Sequence, residues 1–328
     1  MKNVIKQLVF SVNNQAPSLI DSLSHQKAQN ILNVTNWLEL SNLLNNSPLQ
    51  IERIINDPRY VEFKIPKKKG KPRLICQPNH ELMKIQRKLN TYLQAVYEFQ
   101  IPSCVHGFVP KSKSCHRSIV SNARPHVGKK CILTIDLQNY FATIRAKQVQ
   151  NVFLSWQLNQ EIATALALLC TYKGALPTGA PTSPVLANLC SLELDRKIMQ
   201  FTEKFQLIYT RYADDLTFSS DVYIEEEVIQ NLLKIIHDCG FVVNDKKIRR
   251  IGSHRKQKIT GIVVNKKLSV DRKIKKKIRA IEHDIKRNGL SVASEKHFGL
   301  EYTPRSEYGQ KLLNKIQGLK SFLKMVEK

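Results

Sequence analysis

The sequence is short of acidic residues, of long apolar runs and of paired cysteines. It holds 27 Asp and Glu against 52 Lys and Arg, a net charge of +25. No apolar run approaches the roughly 20 residues of a membrane-spanning helix, and the N-terminal residues lack the apolar region of a signal peptide. The seven cysteines are scattered without a Cys-x-x-Cys pair, which excludes the usual zinc and disulfide frameworks. We therefore expect a cytoplasmic protein with a polyanionic partner, nucleic acid before a membrane surface.

Two adjacent carboxylates, Asp214 and Asp215, lie within the stretch 209–219. Alternating apolar residues predict strands at 207–212 and 216–219, with the two acids in the tight connection between them. A solvated turn is the ordinary interpretation of an Asp-Asp pair. This turn, however, has neither Gly nor Asn, and both predicted strands are half-buried in pattern. Two acids at the end of an apolar hairpin are suited to a divalent cation.

A third carboxylate, Asp136, ends a short apolar strand at 131–136. If that strand pairs beside the hairpin, Asp136 comes next to Asp214. Two Mg²⁺ ions about 4 Å apart at such a set activate an attacking hydroxyl and stabilise a leaving pyrophosphate. The three acids therefore predict a two-metal nucleotidyl-transfer site, with Asp136 and Asp214 as bridging ligands and Asp215 in support.

Three strings in this chain resemble the palm motifs of reverse transcriptases. They are Tyr-Ala-Asp-Asp at 212–215, the strand ending in Asp136, and Leu-Pro-Thr-Gly-Ala-Pro-Thr-Ser-Pro at 176–184. Two further elements resemble retron reverse transcriptases in particular: Asn-Ala-Arg-Pro-His at 122–126, and Ile-Thr-Gly at 259–261, where that group has Val-Thr-Gly. The resemblance covers roughly residues 45–328, and the family is identified as the retron reverse transcriptases.

The resemblance implies an α+β right-hand polymerase fold, with an antiparallel palm sheet, fingers before and within it, and a helical C-terminal thumb. We expect a helical extension at 1–60, fingers at 61–130 with part of 145–180, palm at 131–250, and primer grip and basic thumb at 251–328. It also implies a set of site residues. These are Asp136, Leu137, Asp214 and Asp215 for metal; Lys247 for catalysis beside the three acids; Lys71, Arg73, Phe141 and Gly179 for dNTP; and Asn122, His126, Ile259, Thr260, Gly261, Lys273, Lys276 and Lys277 for RNA and primer.

Physical reasons accompany several of these assignments. Six basic side chains surround the predicted hairpin turn at 63–75, and Arg73 can grip triphosphate oxygens with two parallel hydrogen bonds. Phe141 is placed to reject a ribose 2′-hydroxyl, and Gly179, framed by three prolines, lets the backbone approach a base pair. Thr178 stands where the family often has Gln, which puts a nucleotide contact there in doubt. Lys247 is either a proton donor to pyrophosphate or a surface lysine, and the sequence favours neither.

The basic excess is concentrated near the C-terminus. Residues 245–287 hold 17 Lys or Arg against four Asp or Glu, a net +13. Ile274, Ile278, Ile281 and Ile285 recur at helical spacing and predict an apolar stripe on one helix. A solvated face is the default for charged runs, but charge of one sign favours a thumb helix lying along a phosphate backbone. A last helix with Leu312 and the apolar positions after it completes the thumb.

Local patterns predict the other elements. They are short helices before residue 60 with Ser47 as an N-cap, a helix at 81–99, one apolar helical stretch at 149–172, a helix from Ser183, a helix at 228–239, a polar turn at 122–126, and strands at 241–244 and 258–264.

The function implied by the resemblance is RNA-templated DNA synthesis. Retron enzymes recognise a cognate structured noncoding RNA and begin from the 2′-hydroxyl of a guanosine, leaving branched RNA-linked DNA (msDNA). They act in phage defence with an effector protein, a toxin, and higher-order assembly is compatible with this. A group II intron or other bacterial reverse transcriptase is one alternative, but 328 residues leave little room for an endonuclease or maturase domain. A catalytically silent RNA-binding scaffold is another, but it has no need of three acids and Phe141.

Overall fold

Three short helices begin the part of the chain that the structure describes. The structure is a computed structural model, and it describes residues 22–66, 72–111, 116–298 and 305–327. The helices are α1 (Ser22–Leu32), α2 (Trp37–Leu44) and α3 (Pro48–Asn56). The predicted cap at Ser47 is confirmed: its Oγ accepts from Gln50 N at 3.3 Å, and Gln50 Oε1 accepts from Ser47 N at 3.1 Å. This reciprocal pair is a capping box, which satisfies two amides that the helix itself leaves unpaired.

A two-stranded hairpin follows and leads into a long helix. Strands β1 (Tyr60–Ile65) and β2 (Arg73–Pro78) are antiparallel, with Ile65 opposite Arg73. The basic turn between them, including the predicted Lys71, lies outside the described residues. Helix α4 (His80–Glu98) matches the predicted helix at 81–99, and its apolar stripe is buried.

The middle of the chain contains more breaks than the apolar pattern predicts. The elements are α5 (Ile119–Ala123), β3 (Cys131–Asp136), α6 (Tyr140–Thr143), α7 (Ala146–Ser155), α8 (Gln160–Cys170), α9 (Ser183–Cys190) and α10 (Leu192–Lys204). The prediction of one helix over 149–172 is wrong, because Gln157 has a φ of 63° and Asn159 caps α8 by accepting from Ile162 N at 2.9 Å. The expected turn at 122–126 is helical instead, since α5 runs into a 3-10 turn at Arg124–His126.

A four-stranded antiparallel sheet forms the centre of the molecule. Its strand order is β4 (Ile208–Tyr212), β5 (Asp215–Ser220), β3 and β6 (Arg249–Gly252). Helix α11 (Glu226–Asp238) connects β5 to the residues before β6. The strand predicted at 241–244 is reduced to one isolated bridge between Leu137 and Val243.

The C-terminal part contains a small hairpin and two long helices. Strands β7 (Lys258–Ile259) and β8 (Ile262–Val263) flank a turn at Thr260 and Gly261, whose φ values are 45° and 91°. The single strand predicted over 258–264 is therefore wrong. Helices α12 (Arg272–Phe298) and α13 (Arg305–Glu327) follow, and α12 breaks at Gly289, with φ 77° and ψ 165°, a kink that the pattern does not predict.

Three apolar clusters hold these elements together. The largest runs from α1 to the residues after α11 and includes the buried faces of α4, α8, α9 and the sheet. A second joins residues of β3 and α5 to β7, β8 and the end of α13. Among the described residues, the third is formed by α12 and α13, with Ile278, Ile281 and Leu312 buried. The predicted isoleucine stripe therefore packs onto the last helix. Among the described helices, none has the length and apolarity to cross a membrane.

Candidate active site

Strand pairing brings the three predicted acids to one end of the central sheet. In the pairing of β3 with β5, Asp136 lies opposite Asp215. In the pairing of β4 with β5, Tyr212 lies opposite Asp215, which leaves Ala213 and Asp214 as a two-residue turn. Leu137 N donates to Asp214 O at 2.9 Å. The acids therefore adjoin as predicted, with one difference: Asp215 is the first residue of β5 and itself faces Asp136 across the strands.

The turn that carries Asp214 adopts a conformation unusual for its sequence. Ala213 has a φ of 58°, a left-handed backbone that residues other than glycine seldom adopt. A neighbouring segment lies against it: Arg211 N donates to Cys104 O and His106 N donates to Arg211 O, both at 2.8 Å. A Cβ at Gly107 would lie 2.5 Å from Ala213 N. Only a glycine at 107 lets this segment lie so close to the turn.

The acids are electrostatically crowded. Burial raises the pKa of Asp214, and the charge of Asp136 adds to the increase. Burial and the charges of Asp214 and Asp136 raise the pKa of Asp215 to about 6. Lys247 contacts one of these acids directly, since its Nζ lies 2.6 Å from Asp136 Oδ1. It stands on a 3-10 turn, Asp245–Lys247, directly before β6.

The donor chemistry of this cluster fits a divalent cation. Three carboxylates provide the hard oxygen ligands that such ions prefer, and burial, with repulsion among the acids, raises the pKa values of Asp214 and Asp215. As the side chains stand, no three Asp, Glu, His or Cys residues of the described ranges form a ready metal-binding group. Lys247 occupies Asp136 instead. The site therefore offers suitable ligands, with an ammonium group on one of them.

Arg73 and Phe141, both predicted to contact the nucleotide, lie on two different elements. Arg73 is exposed at the start of β2, and its charge is close enough to lower the pKa of Asp214. Phe141 is half-buried on the short helix α6, and its ring centroid is 5.8 Å from that of Phe108 and 5.7 Å from that of Tyr140. The structure thus places a cation within electrostatic reach of Asp214 and packs the ring of Phe141 against two other aromatic rings.

Gly179 has a different neighbour from the one expected. Its φ is 125°, and a Cβ there would lie 2.9 Å from Cys76 O and 3.0 Å from Ile75 Cγ2. Thr178 O also accepts from Cys76 N at 2.8 Å. The space that the glycine opens is thus filled by strand β2, so the close approach serves contact between the 176–184 loop and the hairpin.

Asn122 and His126, predicted to contact RNA, are both fully buried. His126 Nδ1 lies 2.6 Å from Ser219 Oγ, and its Nε2 lies 2.8 Å from Thr210 Oγ1. Burial lowers the pKa of His126 to about 3, so the ring is neutral near pH 7. The side-chain amide of Asn122 has no hydrogen-bond partner among the described residues. Direct contact with RNA does not fit this placement; His126 instead joins β4 to β5.

The remaining predicted RNA and primer residues fall into two groups. Ile259 is buried in the second apolar cluster, and Thr260 Oγ1 donates to Ile119 O at 3.1 Å. Their turn, with Gly261, is thereby fixed against α5. In contrast, Lys273, Lys276 and Lys277 are all exposed on α12. Only this second group presents charged side chains to a phosphate backbone.

Comparison with known proteins gives the family. A family model described as "Reverse transcriptase (RNA-dependent DNA polymerase)" matches residues 65–264, which is more than half of the chain. The chain belongs to the reverse transcriptase family. Its α+β fold with a central antiparallel sheet is the right-hand polymerase fold of that family, and reverse transcriptases use divalent metal ions.

Curated relatives come from retrons. The chain is 33% identical over 257 residues to the Retron Mx65 reverse transcriptase of Myxococcus xanthus, covering 73% of this chain and 58% of that protein. It is 42% identical over 172 residues to the Retron Ec86 reverse transcriptase of Escherichia coli, covering 52% of this chain and 54% of that protein. The chain thus spans little more than half the length of these relatives. Among solved structures, telomerase from Candida albicans matches with a TM-score of 0.48 and 12% identity, covering 84% of this chain and 57% of that one.

Sequence reasoning missed two arginines near the reverse transcriptase acids. Arg249 lines the same open cleft as Asp136, Asp215 and Lys247. Its signal is positional, since it lies two residues after Lys247. Arg211 lies in the middle of β4 and is fully buried. A charged residue inside a predicted half-buried strand is the signal that marks it, because such a residue needs a partner in the interior.

Proposed function

We propose that this chain is the RNA-directed DNA polymerase of a retron. It copies part of a cognate structured noncoding RNA into single-stranded DNA, starting from the 2′-hydroxyl of a guanosine and leaving branched RNA-linked DNA. The observation that carries the proposal is the meeting of Asp136, Asp214 and Asp215 at one end of the sheet, with Arg73 within electrostatic reach. The similarity to retron enzymes over 73% of the chain supports the choice of substrate.

Each residue has a proposed part in nucleotide addition. The three carboxylates and the main-chain oxygen of Leu137 hold the metal. Two bound Mg²⁺ ions would supply activation of the attacking hydroxyl and stabilisation of the pyrophosphate. Arg73, with Lys71, binds the triphosphate through charge-assisted hydrogen bonds. Lys247, now on Asp136, is placed to move to the pyrophosphate and give it a proton.

Sugar selection is proposed for Phe141. A rigid aromatic edge beside the nucleotide leaves no room for a 2′-hydroxyl, so that deoxynucleotides are favoured. The ring packs against those of Phe108 and Tyr140, which limits its movement. Gly179 acts indirectly, by letting the 176–184 loop lie against β2.

The basic helix α12 is proposed to bind the template–product duplex. Lys273, Lys276 and Lys277 are exposed on it, while the isoleucine stripe packs onto α13. Phosphate contacts of this kind position a duplex without reading its sequence. The turn at 259–261 serves as primer grip, held in place by α5. We retain the division into a helical extension at 1–60, fingers at 61–130 with part of 145–180, palm at 131–250 and thumb at 251–328. The proposed partners are the noncoding RNA, its msDNA and an effector protein in phage defence.

The proposal is tested by expressing the gene with its native flanking DNA and extracting nucleic acid. The wild type is expected to give a short DNA that shifts on debranching, while Asp214→Asn gives none and still binds RNA. Asp221→Asn is the matched control, because Asp221 follows β5 at its far end, is exposed and pairs with Lys129 on the surface at 2.7 Å; it is expected to behave as wild type. DNA synthesis on a generic primed RNA without a branched product would indicate another kind of bacterial reverse transcriptase. Absence of synthesis in both assays would leave a silent RNA-binding scaffold.

A further inference from the structure

Arg211 makes an unusually complete set of contacts for a buried charge. Its Nε donates to Asp195 Oδ1 at 2.8 Å and its Nη2 donates to Asp195 Oδ2 at 2.6 Å. Both side chains are 0% exposed. The third nitrogen, Nη1, donates to Tyr140 Oη at 3.0 Å, to Asn188 Oδ1 at 3.0 Å and to Ala213 O at 3.2 Å. The planar fork of an arginine can satisfy such a set, whereas a lysine ammonium cannot.

One of these contacts fixes the acid-bearing turn. Ala213 O belongs to the residue directly before Asp214, and Ala213 holds the left-handed conformation that forms the turn. A charge-assisted hydrogen bond to that carbonyl favours one orientation of the peptide between Ala213 and Asp214. The guanidinium therefore acts on the placement of a proposed metal ligand without touching metal or substrate.

The other two contacts fix the surroundings of Phe141. Tyr140 is the residue before Phe141, and its hydroxyl also lies 2.8 Å from Ser191 Oγ and 3.1 Å from Ala187 O. Asn188 Nδ2 donates to Gly107 O at 3.0 Å and to Phe108 O at 3.3 Å. Since the rings of Phe108 and Tyr140 both pack against that of Phe141, both of these neighbours are tied to the same guanidinium.

Stability alone does not account for this arrangement. An apolar group of similar volume is often as stabilising as a buried ion pair, because removing both charges from water is costly. The five hydrogen bonds of this guanidinium add something else. They fix the relative positions of segments that are distant in sequence. The segments joined here are 107–108, 140–141, 188–195 and 211–214.

Resting on the proposed function, we infer that Arg211 is a positioning residue that sets the acid-bearing turn and the Phe141 ring together, so that metal-ligand placement and the choice of deoxynucleotide depend on one buried guanidinium. Loosening the network then affects the sugar selectivity of the enzyme as well as its rate. A purely structural ion pair would instead change only the fraction of folded enzyme, which scales incorporation of both kinds of nucleotide equally.

The variant of choice is Tyr140→Phe, which removes one acceptor of Arg211 and keeps the aromatic ring. Incorporation of a dNTP and of the matching rNTP on a primed RNA template gives a selectivity, the ratio of their kcat/KM values. We expect this ratio to fall about tenfold, the effect of losing one hydrogen bond to a charged group, and KM for the dNTP to rise. An unchanged ratio and KM in folded Tyr140→Phe would overturn the inference.

The control is a second arginine of matched chemistry. Arg196 also grips a carboxylate with two bonds, Nε to Glu193 Oε2 at 2.8 Å and Nη2 to Glu193 Oε1 at 2.6 Å, but this pair is about half exposed. Arg196→Lys should leave the selectivity unchanged.

Hydrogen exchange provides a readout that needs no activity. In Arg211→Lys, amides of 104–108 and of 211–215 are expected to exchange faster together, and in Arg196→Lys they should not. Faster exchange in only one segment, or in neither, would overturn the tie between them. A wild type that incorporates no nucleotide would refute the proposed function, while the exchange result would still decide whether Arg211 joins the two segments.

Discussion

Arg211 and Lys247 each hold an aspartate at 2.6 Å near the acid-bearing turn, but in opposite surroundings. Both side chains of the pair between Arg211 and Asp195 are 0% exposed, whereas Lys247 and Asp136 are 54% and 15% exposed. The two ion pairs therefore differ in strength although their N–O distances are equal. The buried pair cannot separate without leaving a charge in the interior. The open pair can exchange its partner for water or another cation, because exposed pairs contribute little free energy. The buried pair holds the turn in place, and the open pair leaves Asp136 available to another cation.

The largest effect is expected from breaking the buried pair. Asp195→Ala leaves Arg211 charged and without its carboxylate in the interior, and should lower the free energy of unfolding by about 3–5 kcal/mol. Urea unfolding followed by circular dichroism measures this. A loss within about 1 kcal/mol, the range of an exposed pair, would show that the interior accommodates the unpaired guanidinium. The buried pair would then be no stronger than the open one.

Breaking the open pair should affect catalysis and leave stability almost unchanged. Lys247→Ala is expected to slow nucleotide incorporation about 100-fold if Lys247 serves the leaving pyrophosphate, while the free energy of unfolding changes by less than about 1 kcal/mol. Single-turnover incorporation and urea unfolding of the same preparation separate the two effects. The neighbouring Lys246→Ala, on the same 3-10 turn, should do neither. If Lys247→Ala incorporated nucleotides at the normal rate, Lys247 would be an ordinary surface lysine.

The pH dependence of stability should show the same contrast between buried and exposed groups for two histidines. The pKa of His126 in the folded protein is lowered to about 3 by burial, against about 6.5 in an unfolded chain. The unfolded state therefore binds this proton first as pH falls, and its contribution to stability is lost progressively from about pH 6.5 down to about pH 3, by about 1.4 kcal/mol per pH unit. His126→Gln should lose this part of the pH dependence, and the exposed control His237→Gln should retain it. If the free energy of unfolding changed with pH in the same way for wild type and His126→Gln, burial of a neutral His126 would be contradicted.

The smallest effect is expected at the pair between Glu193 and Arg196. It has the same two-bond geometry as the buried pair and stands on the same helix, α10, as Asp195. Because solvent screens it, Glu193→Ala should change the free energy of unfolding by no more than about 0.5–1 kcal/mol. Thermal unfolding would show this as a small shift beside that of Asp195→Ala. A comparable loss of stability in Glu193→Ala and Asp195→Ala would mean that burial does not explain the difference between the two ion pairs.

The features that were predictable from sequence are those set by local pattern. The cap at Ser47, the stripe of α4 and the isoleucines of α12 depend on residues within a few turns of each other, and all are confirmed. The three acids were also brought together by strand pairing, since alternation placed β3, β4 and β5 within about one residue of their bounds.

The features that were not predictable depend on partners far along the chain. His126 contacts Thr210 and Ser219, which lie 84 and 93 residues away, so nothing local shows that it is buried. The contact of Gly179 with β2 joins residues about 100 positions apart, and the sequence did not indicate it. The break at Gln157 depends on a single left-handed residue within an apolar stretch, which periodicity cannot show.

Gly107 gives the site an asymmetry in how it tolerates sequence change. A Cβ at this position would meet backbone atoms of Tyr212 and Ala213, at 3.0 Å and 2.5 Å, and backbone, unlike a flexible side chain, cannot move aside. In a library that varies every position around the acids, 107 should accept glycine alone, whereas the exposed side of β1 should accept many residues. A designer who wishes to alter nucleotide choice therefore has freedom on the hairpin, but not in the loop that supports the turn from behind.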